Sequence, residues 1–553
     1  MNDRSVHPVW AWLGRGLLLG LFFVLMWLHC SSKINFITAD LGRHIRNGEV
    51  FVKTHQVIST NFYAYVHTDF PVICHHWGTG VLFYWVHQMG GFMGLSVFYT
   101  ALLTITGGLF MAVAWRWAGL WPALLTGMLA LPLLAYRVEI RPEGLTTLFL
   151  GIEFLILWAY RARRFSVRWL WAIPVIQLVW INTHILFISG FVLMTFFLID
   201  AFINSVDRAV WKTIAFIGAV AAGLSLINPF GLQGFLTPFN ILKVYGYALA
   251  ENQSVFFMMN RFPGNVIYGY FLALFTLAIG LLLARFALER KWRTIVLEAL
   301  VLLFFGVLAI KAVRTIAMFG LLFVPLCAFQ MYHVIFLAGK VPGMWMARGV
   351  KSAAISLILL ASLVPAFFFS PLQPSKLFLA AEPPAYQRSL LMTLAHPAVW
   401  GDLAPDVNGS AAFFKTSGLK GPVFNNYDIG GYLIYHLFPQ ERPFVDNRPE
   451  AYPNEFFSQV YGPMQEKPAV WQEVDRKYGF QVIYFYRHDQ TTWAQPFLLQ
   501  RVDDPAWAPV FVDAYTIIFA RRGGVNQGVI ERFELPKSMF HATSAVPASA
   551  PKP

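Results

Sequence analysis

Long apolar runs, bounded by short polar stretches, recur from residue 10 to about residue 371. They lie near 10–30, 92–115, 120–136, 144–160, 168–181, 185–203, 213–227, 265–285, 294–310, 315–332 and 353–371. Crossing a bilayer as a helix takes roughly 20 residues, so the pattern predicts about eleven transmembrane helices. Beyond 371 the period changes. "GPVFNN", "RPFVDNR", "FQVIYFYR" and "PVFVDAYTIIFAR" read as strands, whereas "EFFSQVYG" and "KPAVWQEVDRKYG" carry helical spacing. The predicted architecture is a polytopic α-helical membrane domain over 1–371, a small soluble α/β domain over 372–540, and a disordered tail over 541–553.

Composition agrees with that pattern. The 553 residues are 57% hydrophobic and 13% charged, which excludes an ordinary soluble enzyme. Arginine and lysine gather in alternate loops, at Arg161, Arg163, Arg164 and Arg168, then Arg285, Arg290, Lys291 and Arg293, then Lys340, Arg348 and Lys351. The positive-inside rule makes these loops cytoplasmic. Parity then places the N-terminus in the cytoplasm. On the opposite side lie the 31–91 loop, the 137–143 and 182–184 turns, the 228–264 loop and everything after 371. The net charge of +13 is thus mostly a topology signal, and no nucleic-acid partner is expected. The first run is too long and aromatic for a cleaved signal peptide and reads as a retained span. Cys30, Cys74 and Cys327 read as unpaired thiols. No internal repeat of the kind found in transporters is apparent.

Candidate chemistry concentrates on the non-cytoplasmic side. In "ITADLGRHIRNGE", residues 37–49, helical spacing puts Ile37, Leu41 and Ile45 on one face and Asp40, His44 and Asn47 on another, with Gly48 as the expected helix end. A partly desolvated carboxylate there is suited to act as a general base or to orient an acceptor. His75 and His76 precede Trp77 in a segment read as strand-like, which would point the two imidazoles apart; one of them, His76, is a candidate for lining the site. "YRVEIRPEG" supplies Arg137, Arg141 and Glu143, "WINTHILF" supplies His184, and "IKAVRTIA" supplies Arg314. Ionisable groups at such positions tend to mark ligand pathways, and converging guanidiniums suit phosphate oxygens. "NNYDIGGYLIYH" reads as a tight turn opening a short helix, and Asp446, Arg448, Glu450 and Tyr452 as either a polar site or a salt-bridged strand exit, the latter favoured.

An acid just after the first span, in a long outer loop with an amphipathic helix, followed by many spans and a soluble outer domain, resembles the polytopic C-type (GT-C) glycosyltransferases. These include protein O-mannosyltransferases and the aminoarabinose transferases of lipid A. The segments "DLGRHIRNGE", "TNFYAYVHTDFPVICHHWGTGVLFY", "RPEG", "WINTHILFISG", "NPFG", "FNNYDIGGYLIYH" and "DNRPEAY" resemble a bacterial group within that superfamily, over most of residues 30–520. The resemblance implies an inverting transferase of the bacterial inner membrane with a periplasmic C-terminal domain. It implies a polyprenyl-phosphate sugar as donor and a glycan, lipid or protein as acceptor. Asp40 matches the family's first-loop acid, as general base or acceptor-orienting group, and Arg141 and Arg314 are candidates for holding the lipid phosphate. Gly42 and Arg43 stand where the better-known members carry an acidic or aromatic neighbour, so no cofactor and no required metal is expected. Two rival readings remain: a flippase of a lipid-linked substrate, which predicts polar groups at mid-span, and a non-enzymatic assembly protein, which leaves Asp40, Arg141 and Arg314 tolerant of substitution.

Overall fold

The computed structural model describes residues 8–31, 33–204, 208–240, 246–247, 249–338, 377–379, 403–404 and 406–542. The expected span at 353–371, the domain boundary beside it and the tail beyond Ala542 lie outside them.

The N-terminal region is helical throughout. Its helices are α1 (Pro8–Cys30), α2 (Leu41–Thr54), α3 (Trp77–Ala118), α4 (Leu120–Leu134), α5 (Glu143–Arg161), α6 (Ala172–Ile181) and α7 (Ile188–Asn204). They continue as α8 (Arg208–Leu224), α9 (Gly231–Leu236), α10 (Val255–Arg261), α11 (Ile267–Glu289), α12 (Val296–Lys311) and α13 (Ile316–Ala338). Among the described residues six segments are long and apolar enough to cross a membrane: Trp77–Ala118, Leu120–Arg137, Glu143–Arg161, Ile185–Asn204, Ile267–Glu289 and Val313–Leu337. Gly14–Cys30 and Val167–Ile181 are apolar but shorter, and the runs expected near 213–227 and 294–310 appear as the 17-residue α8 and the 16-residue α12. The bundle buries a continuous apolar core in which α3, α4 and α13 meet, with Phe110, Leu131, Phe319 and Leu322 essentially inaccessible.

Three local expectations are corrected. The 31–91 segment is a loop only as far as His76, because helix α3 begins at Trp77 and bends at Gly91, whose φ of +60° only glycine adopts without strain. Helix α2 does not end at Gly48. It runs on to Thr54 and stops at His55 in the left-handed conformation. Gly48 instead permits close packing, since a Cβ there would sit 2.1 Å from the Gly80 carbonyl oxygen of α3. The same approach of α2 to α3 buries Arg43, His44 and Asn47 together with Leu41 and Ile45, so α2 has no solvated face along its first two turns.

The C-terminal region is α/β. Strands β1 (Leu377–Leu379) and β6 (Phe540–Ala542) pair antiparallel. A mixed sheet has the order β2 (Val423–Asn425), β3 (Val482–Tyr486), β5 (Thr516–Arg521), β4 (Trp507–Val512). β2 runs parallel to β3 and the other pairs are antiparallel. β3 is buried along its whole length, as expected for a strand with helices on both faces. The turn predicted at Gly430 and Gly431 opens the helix Gly430–Leu437, which lies against α2: a Cβ on Gly42 would meet the Gly431 carbonyl oxygen at 2.6 Å. That contact seats the C-terminal α/β region on the helical region beside Asp40.

Candidate active site

Segments that parity assigns to one side of the membrane line a single cavity of about 570 Å³. Its wall includes Asp40, Arg43 and His44 from α2 and its cap, His75 and His76 from the following loop, and the 136–143 turn. It also includes His184, the 249–252 turn, Arg314, and, from the C-terminal α/β region, Tyr427, Asp428, Asn447 and Glu450. The cavity thus lies where the helix ends meet the α/β region.

Asp40 occupies the N-cap of α2, where an aspartate ordinarily accepts a backbone N–H of the first turn. Its side chain makes no such bond. The carboxylate turns to the cavity instead: Asn447 donates to one oxygen at 2.5 Å, and Arg141 and Arg43 lie 3.4 and 3.9 Å from the other. Arg43 in turn donates to Asn447 at 3.1 Å, closing a small ring that fixes the amide. The Asp40 side chain keeps 21% exposure, enough to be reached from the cavity. Burial raises its pKa from the ordinary 3.8; Arg141 and Arg43 oppose that shift, and Glu251 and Glu139 add to it.

The arginines predicted as phosphate ligands do converge. Arg137 donates to Glu143 at 3.0 Å and to Glu251 at 2.9 Å. Arg141 pairs with Glu139 at 2.9 Å and with Glu251 at 3.0 Å, and Arg314 with Glu251 at 3.3 Å. The common partner, Glu251, escaped the sequence reading. A signal was present: it is the sole acidic residue of the 228–264 loop. Burial works to raise its pKa, but Arg137, Arg141 and Arg314 outweigh that and hold the carboxyl far below its usual range.

The histidines form a second wall. His75 and His76 do not point apart: the chain at 71–76 is irregular rather than extended, and their rings lie 3.9 Å from each other. His76 is 5.1 Å from the His184 ring and 5.3 Å from that of His44. The start of α3 holds this group in place, because Trp77 donates to the Asn182 side chain at 3.0 Å and Thr79 to the Thr183 carbonyl at 2.7 Å. His184 is anchored by Thr146 at 2.6 Å. Burial drives all four imidazoles toward the neutral form, and His75 is pushed down to about 4. His44 lies on the Asp40 side of the cavity, but among the described residues its side chain makes no bond to that carboxylate and its buried Nδ1 has no hydrogen-bond partner. Among the described residues no group of three or more His, Cys, Asp or Glu side chains is arranged to hold a metal ion.

Among the lining residues from the C-terminal region, Tyr427, Asp428 and Asn447 are additional to those expected from the sequence. Asn447 is an uncharged residue within the charged "VDNRPEAY", and Tyr427 and Asp428 lie in the turn "NNYDIGG". The loop carrying Asn447 is rigid: Arg448 makes a bidentate pair with Asp446, at 2.8 and 2.7 Å, and also reaches Asn61 at 3.0 Å. The salt bridge read at that place is therefore present, but in a loop and not at a strand exit. The turn before Asp428 is tied by Asn425 to the Val445 carbonyl and by Asn426 to Asp489. Burial raises the pKa of Asp428, with Asp489 and Asp40 adding to the shift.

An apolar cleft adjoins the cavity. It is lined by Met26, Leu103, Leu134, Met318 and Leu321 of α1, α3, α4 and α13, and it also touches Arg137, Glu143 and Arg314. The cleft is small, about 40 Å³, and its apolar side chains border the cationic patch.

No family model matches the chain, and no curated protein matches it by sequence. Among solved structures it is similar to the archaeal oligosaccharyltransferase AglB from Archaeoglobus fulgidus in complex with an inhibitory peptide and a dolichol-phosphate. The TM-score is 0.58 at 9% identity, covering 93% of this chain and 75% of that one. The apo form of the Archaeoglobus fulgidus oligosaccharyltransferase gives a TM-score of 0.56 at 10% identity, covering 92% and 75%. ArnT from Cupriavidus metallidurans in the apo state gives 0.49 at 14% identity, covering 93% and 98%. Over most of its length the chain has the fold of the GT-C glycosyltransferases.

Proposed function

We propose that the protein is an inverting membrane glycosyltransferase. It moves a sugar from a polyprenyl-phosphate donor to a glycan, lipid or protein acceptor on the periplasmic face of a bacterial inner membrane. The observation that carries this reading is the placement of Asp40, a reachable carboxylate with a raised pKa, beside three arginines that converge at the border of an apolar cleft. The AglB structure holds a dolichol-phosphate, which supports the same class of donor for this fold.

In the reaction the acceptor oxygen attacks the anomeric carbon from the face opposite the lipid phosphate. The new C–O bond forms as the bond to the phosphate oxygen breaks, so the configuration inverts. Asp40 takes the acceptor proton and the phosphate leaves with the bonding electron pair. Its charge is met by Arg137, Arg141 and Arg314, beside which lie the apolar side chains of the small cleft between α1, α3, α4 and α13. A lipid phosphate is already a competent leaving group, so the protein's tasks are to orient the acceptor, meet the departing charge and accept one proton. His76 and His184, neutral and facing the cavity, are suited to hydrogen-bond sugar hydroxyls. Glu143 holds Arg137 in position.

Replacing Asp40 with Asn keeps the shape and removes the base. Sugar transfer in membranes, measured at matched protein level, is expected to fall about 10²- to 10⁴-fold. Transfer at the wild-type rate would remove Asp40 from the mechanism.

A further inference from the structure

The three arginines read as phosphate ligands do not stand open. One oxygen of Glu251 accepts from Arg137 at 2.9 Å and Arg141 at 3.0 Å, and the other accepts from Arg314 at 3.3 Å. A carboxylate thus occupies the point where three guanidiniums meet, two from the 136–143 turn and one from the Val313–Thr315 turn. A phosphate entering with Glu251 in place would set two anions in contact in a poorly solvated pocket, which is unfavourable. The glutamate cannot make room by taking up a proton at neutral pH, because the same arginines hold it ionised.

The surroundings favour its departure over theirs. Arg137 retains Glu143, and Arg141 retains Glu139 and Asp40, when Glu251 is gone. Among the described residues Arg314 pairs with Glu251 alone. Glu251 itself rides on a single turn, Ala250–Asn252. That turn is closed by the Asn252 and Gln253 amides, at 3.1 and 3.2 Å, and tied to the bundle by the Val313 amide, which donates to the Gln253 carbonyl at 3.1 Å. The carboxylate thus sits on a three-residue turn, as Arg137 does on Ala135–Arg137 and Arg314 on Val313–Thr315.

We propose that Glu251 is a built-in stand-in for the donor's phosphate, which fills the phosphate subsite at rest and is displaced, with its turn, when the lipid-linked substrate enters. This rests on the reading of the arginine cluster as a phosphate site. Its consequence is selectivity. Only a ligand whose anion outcompetes a carboxylate for three guanidiniums opens the site, and an uncharged prenyl chain does not.

The test uses the full-length protein in detergent, with a polyprenyl monophosphate as probe and the matching polyprenol as control. Glu251→Gln keeps the side chain's size and removes its charge. It is expected to bind the monophosphate on the order of tenfold more tightly than wild type, because the competing state is no longer favoured, and to bind the polyprenol unchanged. Independently of any variant, adding the monophosphate to wild type is expected to speed amide hydrogen exchange at Asn252, Gln253 and Val313, while the polyprenol has no effect. Two results would overturn the proposal: slower exchange of those amides in phosphate-bound wild type, or equal or weaker phosphate binding by a Glu251→Gln protein that melts at the wild-type temperature. If wild type binds the monophosphate no better than the polyprenol, the phosphate reading of the arginines falls and this inference falls with it.

Discussion

The two oxygens of Asp40 meet different partners, an amide from the outer domain on one side and two guanidiniums on the other. Burial pushes its pKa up while the cations push it down, and the net direction is upward. A base must be ionised to act, so activity is expected to rise with pH through a limb lying above 3.8. Removing a nearby positive charge disfavours the ionised form. Arg43→Gln, which retains a donor toward Asn447, should therefore move the acid limb of the kcat/KM profile to higher pH. A limb that stays in place, or moves down, would separate Asp40 from the titrating group. At this scale the sequence was informative about single residues and nearly silent about pairs. Asp40, Arg141 and Arg314 were legible because charged side chains next to apolar runs are rare. Asn447 was not, since what marks it is whom it touches across the chain, and Glu251, though the sole acid of its loop, is marked chiefly by arginines distant in sequence.

Between elements, glycine sets the distances. The α2–α3 crossing brings Gly48 against Gly80, and the contact of α2 with the helix Gly430–Leu437 brings Gly42 against Gly431. Neither approach can be read from hydropathy, which carries the period of an element but not the separation between two of them. That is why the sequence suggested a helix end at Gly48, where the structure has an interface. Gly48→Ala would place a methyl 2.1 Å from a backbone oxygen, a clash that no rotamer relieves. It is expected to cost about 1–3 kcal/mol and to lower the melting temperature in detergent. Gly280→Ala in α11 has nothing within 4 Å of the added methyl and serves as the control. In a helix interior that exchange should be neutral or stabilising by up to about 1 kcal/mol. Equal melting of the two variants would mean that the α2–α3 contact is looser than described.

For the molecule as a whole, the membrane class and the α/β nature of the C-terminal region were legible, because a long apolar run and a short alternating run are physically different objects. The number of spans was less so. Helices as short as α8 and α12 are apolar enough to be read as spans, yet fall below the length that makes crossing self-evident. Not every buried charge gathers at the cavity. Glu153 is buried with Gln177 within the bundle, and Arg161 joins Asp200 and Glu298 to link α5, α7 and α12. These groups are paired among helices, and none of them lines the cavity. The arrangement at the cavity is what gives the molecule its proposed use: a small apolar cleft borders a cationic patch, the patch borders a carboxylate, and the C-terminal α/β region lines the same cavity.

Whether this site receives a lipid-linked phosphate can be read by mass spectrometry of the lipids that copurify with the detergent-extracted protein. Wild type would be compared with an Arg141→Ala, Arg314→Ala double variant. A polyprenyl phosphate or its glycosylated form is expected to be enriched in the wild-type sample and lost from the variant. Bulk phospholipid alone in both samples would mean that the cavity does not hold such a lipid.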